Sequence, residues 1–239
     1  MTENLNIDCD LVIIGAGMAG MAASLFAGNR NIETVQVGIT SEIIFASGLL
    51  DLMGVHPVEG GTTRRDPWQG IEDLCRDIPD HPYAKIPSSI IHDAFEELIA
   101  FLNTSGLVYT RNKRQNSFVL TPIGTIKPSY FIPRTMWNGI RAFETKEPCL
   151  IVDIKGLKGF SARQIVASFK SLWPGLDHKT ISFPGSPHQG EVYLEPLARS
   201  LATPLARKAL ADELRPHLKN ARFLGMPAVF GRAPSQGNL

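Results

Sequence analysis

Cysteine is scarce in this chain, and its placement excludes more than its number does. Cys9, Cys75 and Cys149 are the only three, and no two form a C-x-x-C pair. Neither a zinc knuckle nor a Cys-ligated iron–sulfur cluster is encoded here, and unpaired thiols fit a reducing compartment. An excess of one charge is also lacking. Lys and Arg number 24 against 23 Asp and Glu, a formal net charge of +1, which gives no support to a nucleic-acid partner. Long apolar runs are missing too: the most apolar stretch, Leu11 to Ala27, is interrupted by Gly15, Gly17 and Gly20, and it falls short of the roughly 20 residues a spanning helix needs. Glu3, Asp8 and Asp10 precede it where a secretory signal would carry basic residues, so a cytoplasmic chain is expected. No G-x-S-x-G, P-loop, H-x-x-x-H spacing, internal repeat or low-complexity segment occurs, which removes the usual signatures of acyl transfer, nucleotide hydrolysis and a helical metal site.

With 44% hydrophobic and 20% charged residues, the chain is globular in composition rather than a solvated tail. Its length suits one large domain or two small ones. Asp10-Leu-Val-Ile-Ile14 reads as a strand buried on both faces, Met18 to Asn29 as a helix of small residues and Thr34 to Val37 as a second strand, a β-α-β unit that implies a parallel sheet. Glycine and proline punctuate residues 48–87, with one short helix around Trp68 to Arg76. Ile90, Ile91, Ala94, Phe95, Leu98, Ile99 and Leu102 recur at helical spacing, with Ser88 or Ser89 to cap and Gly106 to terminate. Short strands follow over 107–132, broken at Pro122, Gly124 and Pro128.

Further strands are expected at Cys149–Ile154, Lys179–Phe183 and Ala221–Leu224. The helix after the first of these has a capping box, Ser161 and Gln164, and a staple, Phe160 and Ile165. Another helix runs from Thr203 and Pro204 to about Leu218. The fold class is therefore α/β, a parallel sheet with a Rossmann-like β-α-β unit at its N-terminus: residues 1–55 form the nucleotide-binding unit, 56–145 an irregular insertion and 146–239 a second α/β region.

Gly15-Ala-Gly17-Met-Ala-Gly20 matches G-x-G-x-x-G between a strand and a helix, where that motif works. The first glycine permits a tight turn, the second lets a phosphate approach the backbone, and the third allows close helix–strand contact. The helix N-terminus then offers unpaired N–H groups to phosphate oxygens. Cofactor contacts are assigned to Gly15, Ala16, Gly17, Met18, Ala19 and Gly20. The acid that should end the second strand and hold a ribose is missing, since that strand ends Val37-Gly38-Ile39-Thr40 while Glu33 lies before it and Glu42 after it.

Residues 41–54, Ser-Glu-Ile-Ile-Phe-Ala-Ser47-Gly48-Leu-Leu-Asp51-Leu-Met-Gly, taken with His81-Pro-Tyr83, Thr121-Pro-Ile-Gly124-Thr125, Gly156-Leu-Lys-Gly-Phe160 and Met226-Pro-Ala-Val-Phe-Gly231, carry a resemblance. The chain is similar, from its first strand to its last few residues, to the B subunits of anaerobic glycerol-3-phosphate dehydrogenases. The resemblance implies a flavoprotein holding FMN, or FAD. It implies two partners, the FAD-bearing catalytic subunit and the membrane-bound iron–sulfur subunit of the same complex, with electrons passing from glycerol 3-phosphate to quinone. It also implies a second strand without a terminal acid. Ser47 and Gly48, just after that strand, are placed near the flavin by a further resemblance, to two-dinucleotide-domain flavoproteins, with a plain turn as the alternative. Family chains are longer and return to the first β-α-β unit, whereas this one stops at Arg232-Ala-Pro-Ser-Gln-Gly-Asn-Leu239, so a shortened relative or a fragment is expected.

Among six histidines, only His81, in the family-like His-Pro-Tyr run, stands as a catalytic candidate, because removing hydride from an alcohol carbon needs a base for the hydroxyl proton. Asp51 is read as a partner of backbone groups in its own loop, Glu72-Asp73 and Glu96-Glu97 as water-facing, and Arg111, Lys113 and Arg114 as a solvated loop or an anion site. Two other functions stand beside the flavoprotein subunit: a flavin-free scaffold that keeps the fold, and an NAD(P)-dependent oxidoreductase.

Overall fold

The computed structural model describes residues 6–39, 47–184, 191–227 and 229. It divides into two compact units, neither continuous in sequence: Met1–Leu49 with Cys75–Val108, and Leu50–Leu74 with Tyr109–Leu239.

The first unit contains the expected β-α-β element. Strand β1 (Leu11–Ile14), helix α1 (Met18–Asn29) and strand β2 (Thr34–Val37) follow in order, and the strands pair in parallel from Leu11↔Thr34 to Ile14↔Val37. Helix α1 packs on α3 (Ser88–Thr104), which buries Ile91, Ile99 and Leu102. The cap of α3 is Pro87 and not Ser88 or Ser89. Proline presets its own φ near the value a helix entry needs, and its carbonyl receives the N–H groups of Ile90 and Ile91. Gly106 ends the helix in the left-handed region, φ +82°, as its lack of a Cβ allows.

One expectation fails here: β1 is not buried on both faces. Register sets Ile13 opposite Gln36 on the side facing α1, where Gln36 bonds Ser24 of that helix. The alternate residues point the other way, so Ile14 is 88% exposed, Val12 56% and Val37 57%. Branched apolar residues prescribe a strand, but burial of both faces needs a second covering layer, and none covers this face among the described residues.

The second unit opens with α2 (Pro67–Asp77), whose residues from Cys75 onward count with the first unit. Two antiparallel pairs follow, β3 (Tyr109–Thr110) with β6 (Ile132–Pro133) and β4 (Ser117–Leu120) with β5 (Ile126–Ser129). Pro122 and Gly124 lie in the β4–β5 turn as expected. Pro128, however, sits inside β5 opposite Phe118; β5 is an edge strand, where a missing N–H is tolerated. Helix α4 (Trp137–Thr145), which the sequence reading does not anticipate, buries Ile140, Ala142 and Phe143.

Strand β7 (Cys149–Ile154) is central to a parallel sheet, flanked by β8 (Leu176–Ile181) and β9 (Phe223–Gly225). The outer strands begin at Leu176 and Phe223, displaced from the expected Lys179 and Ala221. Leu150, Val152 and Ile154 face one apolar layer, with Leu197 of α6 (Leu194–Ser200) and Leu210 and Leu214 of α7 (Pro204–Leu214). Cys149 and Ile151 face the other, with α4, Trp173 and Ile165, Val166 and Phe169 of α5 (Ala162–Phe169). Truncating one such buried branched side chain to alanine typically costs about 2–5 kcal/mol. Ser161 caps α5 by accepting from Gln164 N at 3.2 Å, but only half of the capping box forms, because the Gln164 amide bonds Ser168 instead. Thr203 caps α7 as expected.

Candidate functional site

The glycine turn begins where β1 ends. Gly15 has φ +117°, which an L side chain rarely adopts, and its N–H donates to Val37 O at 2.7 Å, tying the turn to the end of β2. Gly17 is the N-cap residue of α1, in extended backbone; no side chain caps the helix and no acid stands in its first turn. The N-terminal dipole and first-turn N–H groups are thus left uncompensated by side chains.

Each glycine has a distinct reason to lack a side chain. A Cβ on Gly20 would lie 2.1 Å from Gly15 O, so this glycine serves the contact between helix and turn. A Cβ on Gly17 would meet nothing within 4 Å, which is the open space a phosphate needs. Gly38, where a dinucleotide fold would carry an acid, approaches the turn so closely that a Cβ would lie 2.6 Å from Ala16 N and 2.9 Å from Gly15 C. The residues present fit a nucleotide phosphate at the turn, without a strand-end carboxylate for a ribose.

Gln36 completes the arrangement and carries no signal in the glycine motif. Its Nε2 donates to Gly15 O at 2.8 Å, and its Oε1 receives Ser24 Oγ at 2.9 Å. The clue available in the sequence is a polar residue between two valines in β2, at the position whose side chain faces the helix.

The other expected residues have structural partners. Ser47 Oγ accepts from Leu49 N at 3.3 Å in a turn where Gly48 has φ +73°, while residues 41–46 and the terminal stretch Arg232–Leu239 lie outside the described residues. His81 caps the short 3-10 helix Pro82–Lys85, its Nδ1 accepting from Tyr83 N at 3.1 Å. Asp51 pairs with Lys127 at 2.7 Å rather than with its own loop. Asp73 and Glu97 do not simply face water: Asp73 meets Arg64 at 2.8 Å, and Glu97 accepts from Asn29 of α1 and from Arg30, the C-cap residue of that helix. Those bonds, Arg30's first, hold the Glu97 carboxyl below its ordinary range. Burial pushes the Cys149 thiol up to about 12, which leaves it a packing residue and not a nucleophile. His56 is buried beside a cis bond to Pro57. Among the described residues no group of three or more His, Cys, Asp or Glu could hold a metal, and no helix is long and apolar enough to cross a membrane.

An uncapped helix behind a strand and a three-glycine turn defines a nucleotide-binding α/β unit, and comparison with known families gives the class: residues 10–237 match the FAD binding domain, and the chain belongs to that flavin-binding family. Its relatives are more particular. The chain is similar to the B subunit of anaerobic glycerol-3-phosphate dehydrogenase from Pectobacterium atrosepticum, at 25% identity over 228 residues, 93% of this chain and 54% of that protein. It is equally similar to the protein of the same name from Vibrio vulnificus, at 25% over 236 residues, 94% of this chain and 53% of that one. The Yersinia pseudotuberculosis protein is 26% identical over 235 residues, 93% of this chain and 54% of its own length. The resemblance seen in the sequence therefore holds, and the chain spans about half the length of these curated relatives. No solved structure matches it.

Proposed function

We propose that this chain is the flavin-binding subunit of an anaerobic glycerol-3-phosphate dehydrogenase, relaying electrons from the oxidation of glycerol 3-phosphate to dihydroxyacetone phosphate toward a quinone. The observation that supports this reading best is the glycine turn at an uncapped helix N-terminus, in a chain whose relatives bear that enzyme's name. Gly17 leaves room for the cofactor's phosphate, the N–H groups of Met18, Ala19 and Gly20 face it with positive potential, and Gly15 and Ala16 shape the turn, with Ser47 and Gly48 assigned to the same site. When bound, a flavin supplies a two-electron acceptor that can be discharged one electron at a time. FMN suits the site as well as FAD, because Gly38 offers no side chain to a second ribose.

Substrate oxidation belongs to a partner in this reading. His81 commits one ring nitrogen to a cap, in keeping with a chain that conducts electrons and does not itself take the hydroxyl proton. The proposed partners are the FAD-bearing catalytic subunit and the membrane-bound iron–sulfur subunit, and through them the chain would sit on the cytoplasmic face of the membrane. The test is the visible absorption spectrum of the purified chain, as isolated and after reconstitution with FMN or FAD. Flavin bands that survive gel filtration support the proposal. A colourless chain that still binds the two partners would instead be a flavin-free scaffold, and tight NAD binding without flavin would make it a nicotinamide enzyme.

A further inference from the structure

Helix α4 turns a cationic and aromatic face outward. The 3-10 turn Arg134–Met136 runs directly into Trp137–Thr145. Ile140, Ala142 and Phe143 are buried on the inner side, where Phe143 meets Phe169 and Trp173 edge to face at 5.9 and 6.2 Å. A spacing of three and then four residues brings Arg134, Trp137 and Arg141 together on the other side. Both arginines are exposed and Trp137 is partly so.

The tryptophans of the chain are not alike. Trp68 and Trp173 are buried and their ring N–H groups donate, to the Tyr130 hydroxyl at 3.1 Å and to Glu147 O at 2.8 Å. The ring N–H of Trp137 has no partner among the described residues. The charge around it is one-sided: residues 109–143 contain lysines and arginines and no Asp or Glu, although the whole chain is balanced to within one charge. Lys127 meets Asp51, and Arg114 lies over Trp68 at 5.2 Å. The guanidiniums of Arg134 and Arg141 have no partner among the described residues, and Glu144, the next acid in the chain, makes no ion pair with Arg141. No side chain caps α4 and no acid stands in its first turn, so the helix dipole adds positive potential at the same end.

Tryptophan and arginine are the residues that most often carry the energy of a protein–protein contact, while lysine is depleted there. A guanidinium grips a carboxylate through two parallel N–H bonds, and an indole beside it supplies a large apolar area and one donor. We infer that the Arg134–Trp137–Arg141 face of α4 is a docking surface for an acidic protein surface, which sets carboxylates on the two guanidiniums and covers the indole between them. A lipid surface matches this face poorly, because a membrane-binding helix presents a broad apolar side to the bilayer, and the apolar side of α4 is spent on the core. That the acidic surface belongs to a partner subunit rests on the function proposed above.

The test is the affinity of the full chain for the catalytic subunit and for the iron–sulfur subunit, at low and high salt. It is run in parallel on Arg134→Glu with Arg141→Glu, on Arg134→Lys with Arg141→Lys, and on a control, Lys179→Glu with Lys208→Glu, which reverses exposed charges elsewhere in the same unit. The reversed arginine pair should weaken binding to one of the subunits at least about tenfold. The lysine pair should weaken it by about threefold although the charge is kept, and the control should stay within about twofold of the parent. Binding should also weaken as salt is raised. Both arginines are exposed, so melting should hardly change. Trp137 supplies a second readout: with Trp68 and Trp173 buried, the fluorescence that iodide can quench belongs to it, complex formation should shield that signal, and Trp137→Phe should remove it.

Parent-like binding of the reversed pair to both subunits would overturn the inference, as would equal losses in the reversed pair and the control. Shielding of Trp137 in the chain alone as its concentration rises would make the occupant a second copy and overturn it too. So would binding of phosphatidylglycerol–phosphatidylethanolamine vesicles through Arg134 and Arg141 with subunit affinity untouched. Flavin content, read in the same samples, separates this inference from the function proposed above. A colourless chain still held by a subunit through Arg134 and Arg141 would end the electron-relay reading and leave the docking surface standing, whereas a flavin-loaded complex indifferent to both substitutions would do the reverse. A chain that binds neither subunit overturns the docking surface whatever its flavin content.

Discussion

The side-chain amide of Gln36 spans the gap between β2 and the glycine turn, donating to the Gly15 carbonyl at 2.8 Å while accepting the Ser24 hydroxyl at 2.9 Å. One residue thereby joins the strand, the turn and the helix around the proposed phosphate position. Gln36→Leu should cost about 0.5–1.5 kcal/mol, the net value of a typical hydrogen bond, and should loosen the turn. Amide exchange at Gly15, whose N–H bonds Val37 O, should quicken in that variant while exchange in β7 stays as it was. Gln36→Glu separates shape from hydrogen bonding: the protonated acid can donate to Gly15 O and the carboxylate cannot, so flavin affinity in this variant should rise as the pH is lowered toward about 4.

Gly17 and Gly20 should behave oppositely when substituted. Gly17→Val places its side chain in open space at an extended backbone position, so melting should change little while flavin retention is lost. Gly20→Ala drives a methyl group into the Gly15 carbonyl at 2.1 Å and should lower the melting temperature by several degrees. Equal flavin content in the Gly17 variant and the parent would remove the turn from the proposed function.

Acid should loosen the α1–α3 contact. The hydrogen bonds from Arg30 and then Asn29 hold the Glu97 pKa below its unfolded value, so the stabilisation is fully present above the unfolded carboxyl range, about pH 4.3, and disappears as the pH falls through the lowered folded pKa. Arg30 stays charged throughout. Melting curves of the parent and Glu97→Gln should differ at pH 7 and converge once the pH has fallen below that lowered pKa; because the pair is open to solvent, the difference should be small and should shrink further in high salt.

The uncovered face of β1 and β2 should make the isolated chain adhesive. Val12, Ile14 and Val37 form an exposed apolar row beside exposed Ile39, the kind of surface that marks an interaction site or an aggregation hazard. The purified chain should bind a hydrophobic dye and self-associate with rising concentration. Ile14→Lys with Val37→Thr should suppress both without lowering the melting temperature, and co-expression with the catalytic and iron–sulfur subunits should improve recovery of the unmodified chain. Clean monomeric behaviour with no dye binding would count against the partner role.

Much of the architecture was legible because it depends on local chemistry. The G-x-G-x-x-G turn, the branched runs of β1 and β7, the Thr203-Pro204 helix start and Gly106 each act within a few residues of themselves. What escaped depends on distant partners. Pro128 reads as a breaker until β5 proves to be an edge, α4 is too short for its periodicity to stand out, and Arg114 reads as solvated until Trp68, some forty residues earlier in the chain, arrives beneath it. Gln36 belongs to the same group, since its role is set by the helix that returns over it.

Gly38 places a constraint on how this site can be altered or can drift. In a dinucleotide fold the end of the second strand is free to trade one side chain for another and so retune which cofactor is preferred. Here that position is pressed against Ala16 and Gly15, and Gly38→Glu would wedge the turn open before its carboxylate could reach any ribose. Cofactor preference and integrity of the turn are therefore locked together at a single backbone contact. Gaining a ribose-binding acid at the strand end would have to begin with a shift of the strand itself, a path closed to any one-residue change at this position.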